Sequence, residues 1–85
     1  MMYFIYILRC SDNSLYCGQT NNLKRRIQEH NSDDSKSKYT RARRLVKLVY
    51  FEKYKTINEV LKREFEIKKM TKAKKEILIK KIITL

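Results

Sequence analysis

Apolar and polar positions follow first a strand period and then a helical one. Tyr3-Phe-Ile-Tyr-Ile-Leu8 is an unbroken aromatic and β-branched run, which predicts a buried strand over Tyr3–Arg9. Ser11-Asp-Asn-Ser14 is turn chemistry, and the strand pattern resumes over Leu15–Gln19, so the two runs predict a hairpin. Then Thr20, Asn21 and Asn22 offer helix caps, and Leu23, Ile27 and His30 recur at helical spacing. Residues 31–37 read as a polar loop, Lys38–Arg44 as a short helical turn or a basic loop, and Leu45–Phe51 as a third strand. Thr56-Ile-Asn-Glu59 has capping-box form and opens a helix over 57–69 with the apolar stripe Ile57, Val60, Leu61 and Phe65. Thr71 caps a last, basic amphipathic helix carrying Ile77, Leu78, Ile82 and Ile83. The predicted order is β-β-α-(α)-β-α-α. This is an α/β chain of the α+β type: a small three-stranded antiparallel sheet flanked by helices, in one domain over residues 1–85.

Charge narrows the partner. Twenty-one Lys and Arg against nine Asp and Glu leave +12 on 85 residues. Such a field attracts polyanions, nucleic acid before acidic membrane. The cations cluster. Lys36, Lys38, Arg41, Arg43, Arg44 and Lys47 fall in one run without an acid and with Tyr39 among them, and Lys68–Lys81 holds seven lysines and one acid. A charge run is by default a solvated face, but two runs with an interleaved aromatic favour phosphate-backbone contact without base reading.

No apolar run reaches the roughly 18 residues that cross a bilayer, and the apolar start has no basic flank or small-residue cleavage site. Two cysteines, Cys10 and Cys17, with one histidine cannot build a disulfide scaffold or a Cys/His metal cluster. They read as small apolar residues in a reducing compartment, and a cytoplasmic chain, monomeric by default and without a membrane partner, is expected.

Three features resist a plain core. Glu64 shares a helix face with Val60, Leu61 and Phe65, where a carboxylate is costly unless it is paired, as with Lys68, or holds a cation. Arg26 and His30 share a face beside Leu23 and Ile27, where they form either a surface pair next to Glu29 or a phosphate grip. Tyr6 and Tyr16 sit on the two strands of the hairpin, and a buried tyrosine must satisfy its hydroxyl.

In order along the chain, these residues resemble the GIY-YIG nuclease family. Phe4-Ile5-Tyr6 stands for the first motif, with Phe where the family name has Gly, and Tyr16-Cys17-Gly18 for the second. Arg26 follows the second tyrosine by ten residues and His30 by fourteen, at the family's spacing, and Arg63–Lys68 looks like the segment that carries its glutamate, at Glu64. The likeness is narrower still to the small stand-alone bacterial members, whose basic run is matched by Lys38–Arg44.

The resemblance implies hydrolysis of phosphodiester bonds in DNA, structured or damaged DNA among the candidates and RNA not excluded, with one divalent metal, Mg²⁺ or Mn²⁺. It implies Glu64 as metal ligand, Arg26 as the grip on the scissile phosphate, Tyr6 or Tyr16 as the group that activates water, and His30 as a residue that orients one of these or contacts phosphate. Lys24, Arg25, Lys36, Lys38, Arg41, Arg43, Arg44 and Lys68 are the expected nucleic-acid contacts. The alternative reading is a nucleic-acid-binding module that keeps the fold without the catalysis.

Overall fold

The computed structural model describes residues 1–32, 40 and 42–81. Three strands, β1 (Tyr3–Arg9), β2 (Leu15–Thr20) and β3 (Lys47–Tyr54), form one antiparallel sheet in the order β2-β1-β3. Helix α1 (Leu23–Asn31) follows β2, while α2 (Ile57–Lys68) and α3 (Lys72–Lys80) follow β3. β2 is therefore an edge strand, and it joins β1 through a turn in which Asn13 takes the left-handed conformation at φ 68°.

The alternation of β1 sends its side chains to two cores. Ile5 and Ile7 join Cys17, Tyr50, Val60, Ile67, Leu78 and Ile79 under α2 and α3. Tyr6 and Leu8 join Cys10 and Val46 on the other face, under Leu23 and Ile27 of α1. Because β1 is central and covered on both faces, it reads as a continuous apolar run. The helices begin on the polar caps that the sequence offers. Asn22 accepts from the Arg25 amide at 3.1 Å, Thr56 from Glu59 at 3.2 Å and Thr71 from Lys74 at 3.2 Å.

Two expectations need correction. The third strand runs over Lys47–Tyr54, not Leu45–Phe51. The Asn31 side chain captures Val46, accepting from its amide at 2.7 Å and donating to its carbonyl at 3.1 Å, so Val46 is tied to the end of α1 instead of the ladder. At the other end the strand continues through a polar residue. Glu52 is satisfied there by the hydroxyls of Tyr50 and Tyr54 and by both forks of Arg63, at 2.9 and 3.0 Å. The second correction concerns the stripe of α2. Val60 is buried, but Ile57, Leu61 and Phe65 are 41%, 45% and 61% exposed. The short helix of the basic run and the final Ile82 and Ile83 fall outside the described residues, apart from Thr40, which is helical and buried, and residues 42–44.

Candidate active site

Four of the five expected catalytic residues meet on the α1 face of the hairpin. Tyr6 is the partner of Gly18 in the β1–β2 register, and its ring lies across that glycine. A Cβ at position 18 would stand 2.5 Å from the Tyr6 hydroxyl and 2.7 Å from Cζ. Gly18 has no positive φ, so the only glycine of the chain is needed for close approach and not for backbone freedom. Held there, the Tyr6 hydroxyl accepts from Arg26 Nε at 3.3 Å and meets His30 Nε2 at 2.9 Å. His30 Nδ1 lies 2.7 Å from Thr40 Oγ1.

These contacts form a directional chain. Arg26 can only donate, so the Tyr6 oxygen accepts and its proton points to His30 Nε2. That leaves the neutral imidazole with its proton on Nδ1, donated to Thr40. Electrostatics agree with a neutral ring: burial, and then the Arg26 charge, hold the His30 pKa below its usual 6.5. Burial also pushes Tyr6 up to about 12, against the lowering effect of Arg26.

Tyr16 completes the group. It pairs with Leu8 in the register, so it shares the Tyr6 face, and its ring packs edge-on to His30 with centroids 5.0 Å apart. Tyr6 is fully buried, whereas Tyr16 and Arg26 are only half-buried. The outer end of Arg26 forms an exposed ion pair with Glu29 at 3.3 Å.

Glu64 comes from a different helix. It lies on α2, whose Val60 and Ile67 pack on the face of the sheet that carries Cys17. Burial and then the Glu64 charge push the Cys17 thiol up to about 11. Glu64 is one-fifth exposed and pairs with Lys68 at 3.5 Å, as the i,i+4 spacing suggests. The two faces meet around the free edge of β2. An open hollow of about 440 Å³ there is lined by Arg25, Arg26 and Glu29 of α1, Gln19 and Thr20 of β2, and Ile57 of α2.

Of the expected nucleic-acid contacts, Lys24 and Arg25 lie exposed on α1, Arg44 is exposed, Arg43 is held by Asp12 at 2.9 Å, and Lys68 is exposed at the end of α2. Lys36, Lys38 and Arg41 lie outside the described residues. Sequence reasoning missed Thr40. It is the only hydroxyl in the run 38–44 besides Tyr39, but no periodicity marks it as the residue that orients His30.

No group of three His, Cys, Asp or Glu side chains converges among the described residues, so no closed metal cage is built from them. An accessible single carboxylate fits a different use. Hard cations such as Mg²⁺ are commonly held by one or two carboxylates, with waters and substrate phosphates filling the other positions. Glu64, loosely paired and partly open to solvent, meets that requirement. No helix among the described residues is long and apolar enough to cross a membrane.

The chain is similar to known proteins over nearly its whole length. A UPF0213 protein of Syntrophus aciditrophicus (strain SB) is 53% identical over 77 residues, covering 91% of this chain and 88% of that protein. A UPF0213 protein of Staphylococcus aureus (strain Mu3 / ATCC 700698) is 50% identical over 78 residues, covering 92% of this chain and 94% of its own. Two solution NMR structures share the fold at 37% identity. One is a UPF0213 protein of Bacillus halodurans with TM-score 0.60, covering 93% of this chain and 83% of that one. The other is a protein of E. faecalis with TM-score 0.68, covering all of this chain and 90% of that one. The model of the GIY-YIG catalytic domain matches residues 2–77, the span that holds Tyr6, Tyr16, Arg26, His30 and Glu64, and the chain therefore belongs to the GIY-YIG family of nuclease domains.

Proposed function

We propose that this chain is a cytoplasmic, divalent-metal-dependent endonuclease that hydrolyses phosphodiester bonds in DNA. The observation that carries the reading is the hydrogen-bonded chain from half-buried Arg26 to buried Tyr6, His30 and Thr40, with half-buried Tyr16 packed against it. A hydrogen-bonded run of this length beside a half-buried cation is an expensive way to fill a core and an effective way to fix a guanidinium.

Each side chain then has a role. Arg26 binds the scissile phosphate and compensates the charge that develops on it; its exposed pair with Glu29 is the kind that costs little to displace. Tyr6, with its pKa near 12, keeps its proton at neutral pH and acts as a positioning residue for Arg26. Tyr16, half-buried and packed edge-on to His30, takes part in the activation of water. His30, oriented by Thr40, fixes the direction of the chain. Glu64 would hold the metal, Mg²⁺ or Mn²⁺. What a bound ion supplies is polarisation of the phosphate and stabilisation of the leaving oxygen.

The second reading, a binding module without catalysis, is favoured by one observation: Glu64 is paired with Lys68, and its helix packs on the other face of the sheet from α1. A panel of duplex, nicked, branched and single-stranded DNA, with RNA alongside, incubated with Mg²⁺ or Mn²⁺ and with EDTA, separates the two. Cleavage that EDTA abolishes supports the nuclease. Binding without cleavage of any form, in either metal, supports the module.

A further inference from the structure

Ile57, Leu61 and Phe65 repeat every fourth residue along α2, so they form one continuous ridge, and all three are exposed. At about 100° per residue, Glu64 borders this ridge on its inner side, Lys68 falls on its face, Lys69 continues its four-residue row, and Lys62 borders it on its outer side. Glu66 and Glu59 fall on the far side of the helix, and Glu64 is the only carboxylate of α2 next to the ridge. The Lys69 ammonium sits 4.2 Å from the Phe65 ring centroid. Ile57, at the start of the ridge, also lines the hollow that reaches Arg26.

An exposed apolar ridge needs an occupant. A second copy of this chain would bring another +12 charge against the same lysines, so charge argues against self-association. A polyanion with exposed apolar faces fits both parts: phosphates for the lysines, and unstacked bases for the aromatic and aliphatic side chains. Single-strand binders combine a cationic track with aromatic platforms in this way, and proteins that open a duplex insert apolar wedges between its bases.

We propose that Leu61 and Phe65 form a base-contacting platform, and that the substrate class is DNA with unpaired or unstacked bases next to the scissile phosphate. The proposal deepens the nuclease reading and rests on it for the identity of the polymer. The test measures binding in EDTA, where nothing is cleaved. Affinities are compared for a fully paired duplex and for the same duplex with a short central bubble, using the parent and the Leu61→Ala/Phe65→Ala variant. Both side chains are exposed, and circular dichroism checks that the variant is folded. The parent should prefer the bubble by about 10-fold, the scale of one or two base–aromatic contacts, and the variant should bind both forms alike, with its duplex affinity within about twofold of the parent's. A bubble preference that survives in the variant, or a parent that binds both forms equally, overturns the platform while leaving the nuclease reading intact. Failure to bind either form removes both. A parent that sediments as a dimer and a variant that sediments as a monomer assign the ridge to a second copy and overturn the proposal.

Discussion

The Tyr6 hydroxyl and His30 Nε2 lie 2.9 Å apart across the interface between β1 and α1, both inside the protein. One buried oxygen thus joins a histidine and, at 3.3 Å, an arginine. Tyr6→Phe keeps the ring and removes both contacts, leaving His30 Nε2 without its proton donor. The expected loss of stability is about 1–3 kcal/mol, measured by urea unfolding. An unchanged midpoint would contradict the assigned chain.

Gly18→Ala tests the close approach on the other side of the same ring. Tyr6 is 1% exposed and packed against Leu8 and Ile27, so its ring has little room to retreat from a Cβ set 2.5 Å from its hydroxyl. Overpacking of this kind typically costs about 1–3 kcal/mol. A melting temperature equal to the parent's would mean that the ring moves freely.

The neutral His30 makes stability fall on acidification. Its folded pKa lies below 6.5, through burial first and the Arg26 charge second, opposed by Glu29. Above the unfolded value neither state is protonated and the contribution is complete. As pH falls through about 6.5 towards the folded pKa, the unfolded chain takes up a proton that the folded one refuses, so stability drops. Urea midpoints measured from about pH 7.5 down to about 5.5 should decline for the parent and decline less for His30→Gln. Equal slopes would place the imidazole in a solvent-like setting.

The two tyrosines should separate in kinetics. Tyr16→Phe removes the hydroxyl assigned to water activation and should lower the cleavage rate about 10²–10⁴-fold while affinity for DNA stays near the parent's. Tyr6→Phe should act mainly on stability, and more weakly on the rate, through the orientation of Arg26. If Tyr6→Phe proves the more damaging to the rate in folded protein, the roles are reversed.

Much of this arrangement was legible in the residues. Strand alternation puts Tyr6 and Tyr16 on one face, and i,i+4 spacing puts Arg26 and His30 together. Three things were not. The face of the sheet on which α2 packs depends on where the chain crosses after β3, which no local period records. The ridge of α2 looked like core because periodicity identifies an apolar face without saying whether anything covers it. The start of β3 falls later than its composition predicts because a side chain outside that strand, Asn31, takes the backbone groups of Val46.

Glu64→Gln bears most directly on the central claim. The substitution keeps shape and hydrogen-bonding capacity and removes the charge that would hold a divalent cation. On a chain with net charge +12 it leaves DNA binding as tight as before or tighter. Side-by-side cleavage and binding assays of the parent and Glu64→Gln, with Mg²⁺ and Mn²⁺, should show a parent that cuts and a variant that binds equally well without cutting. A variant that cuts at the parental rate would contradict the account, because the metal would then be held elsewhere.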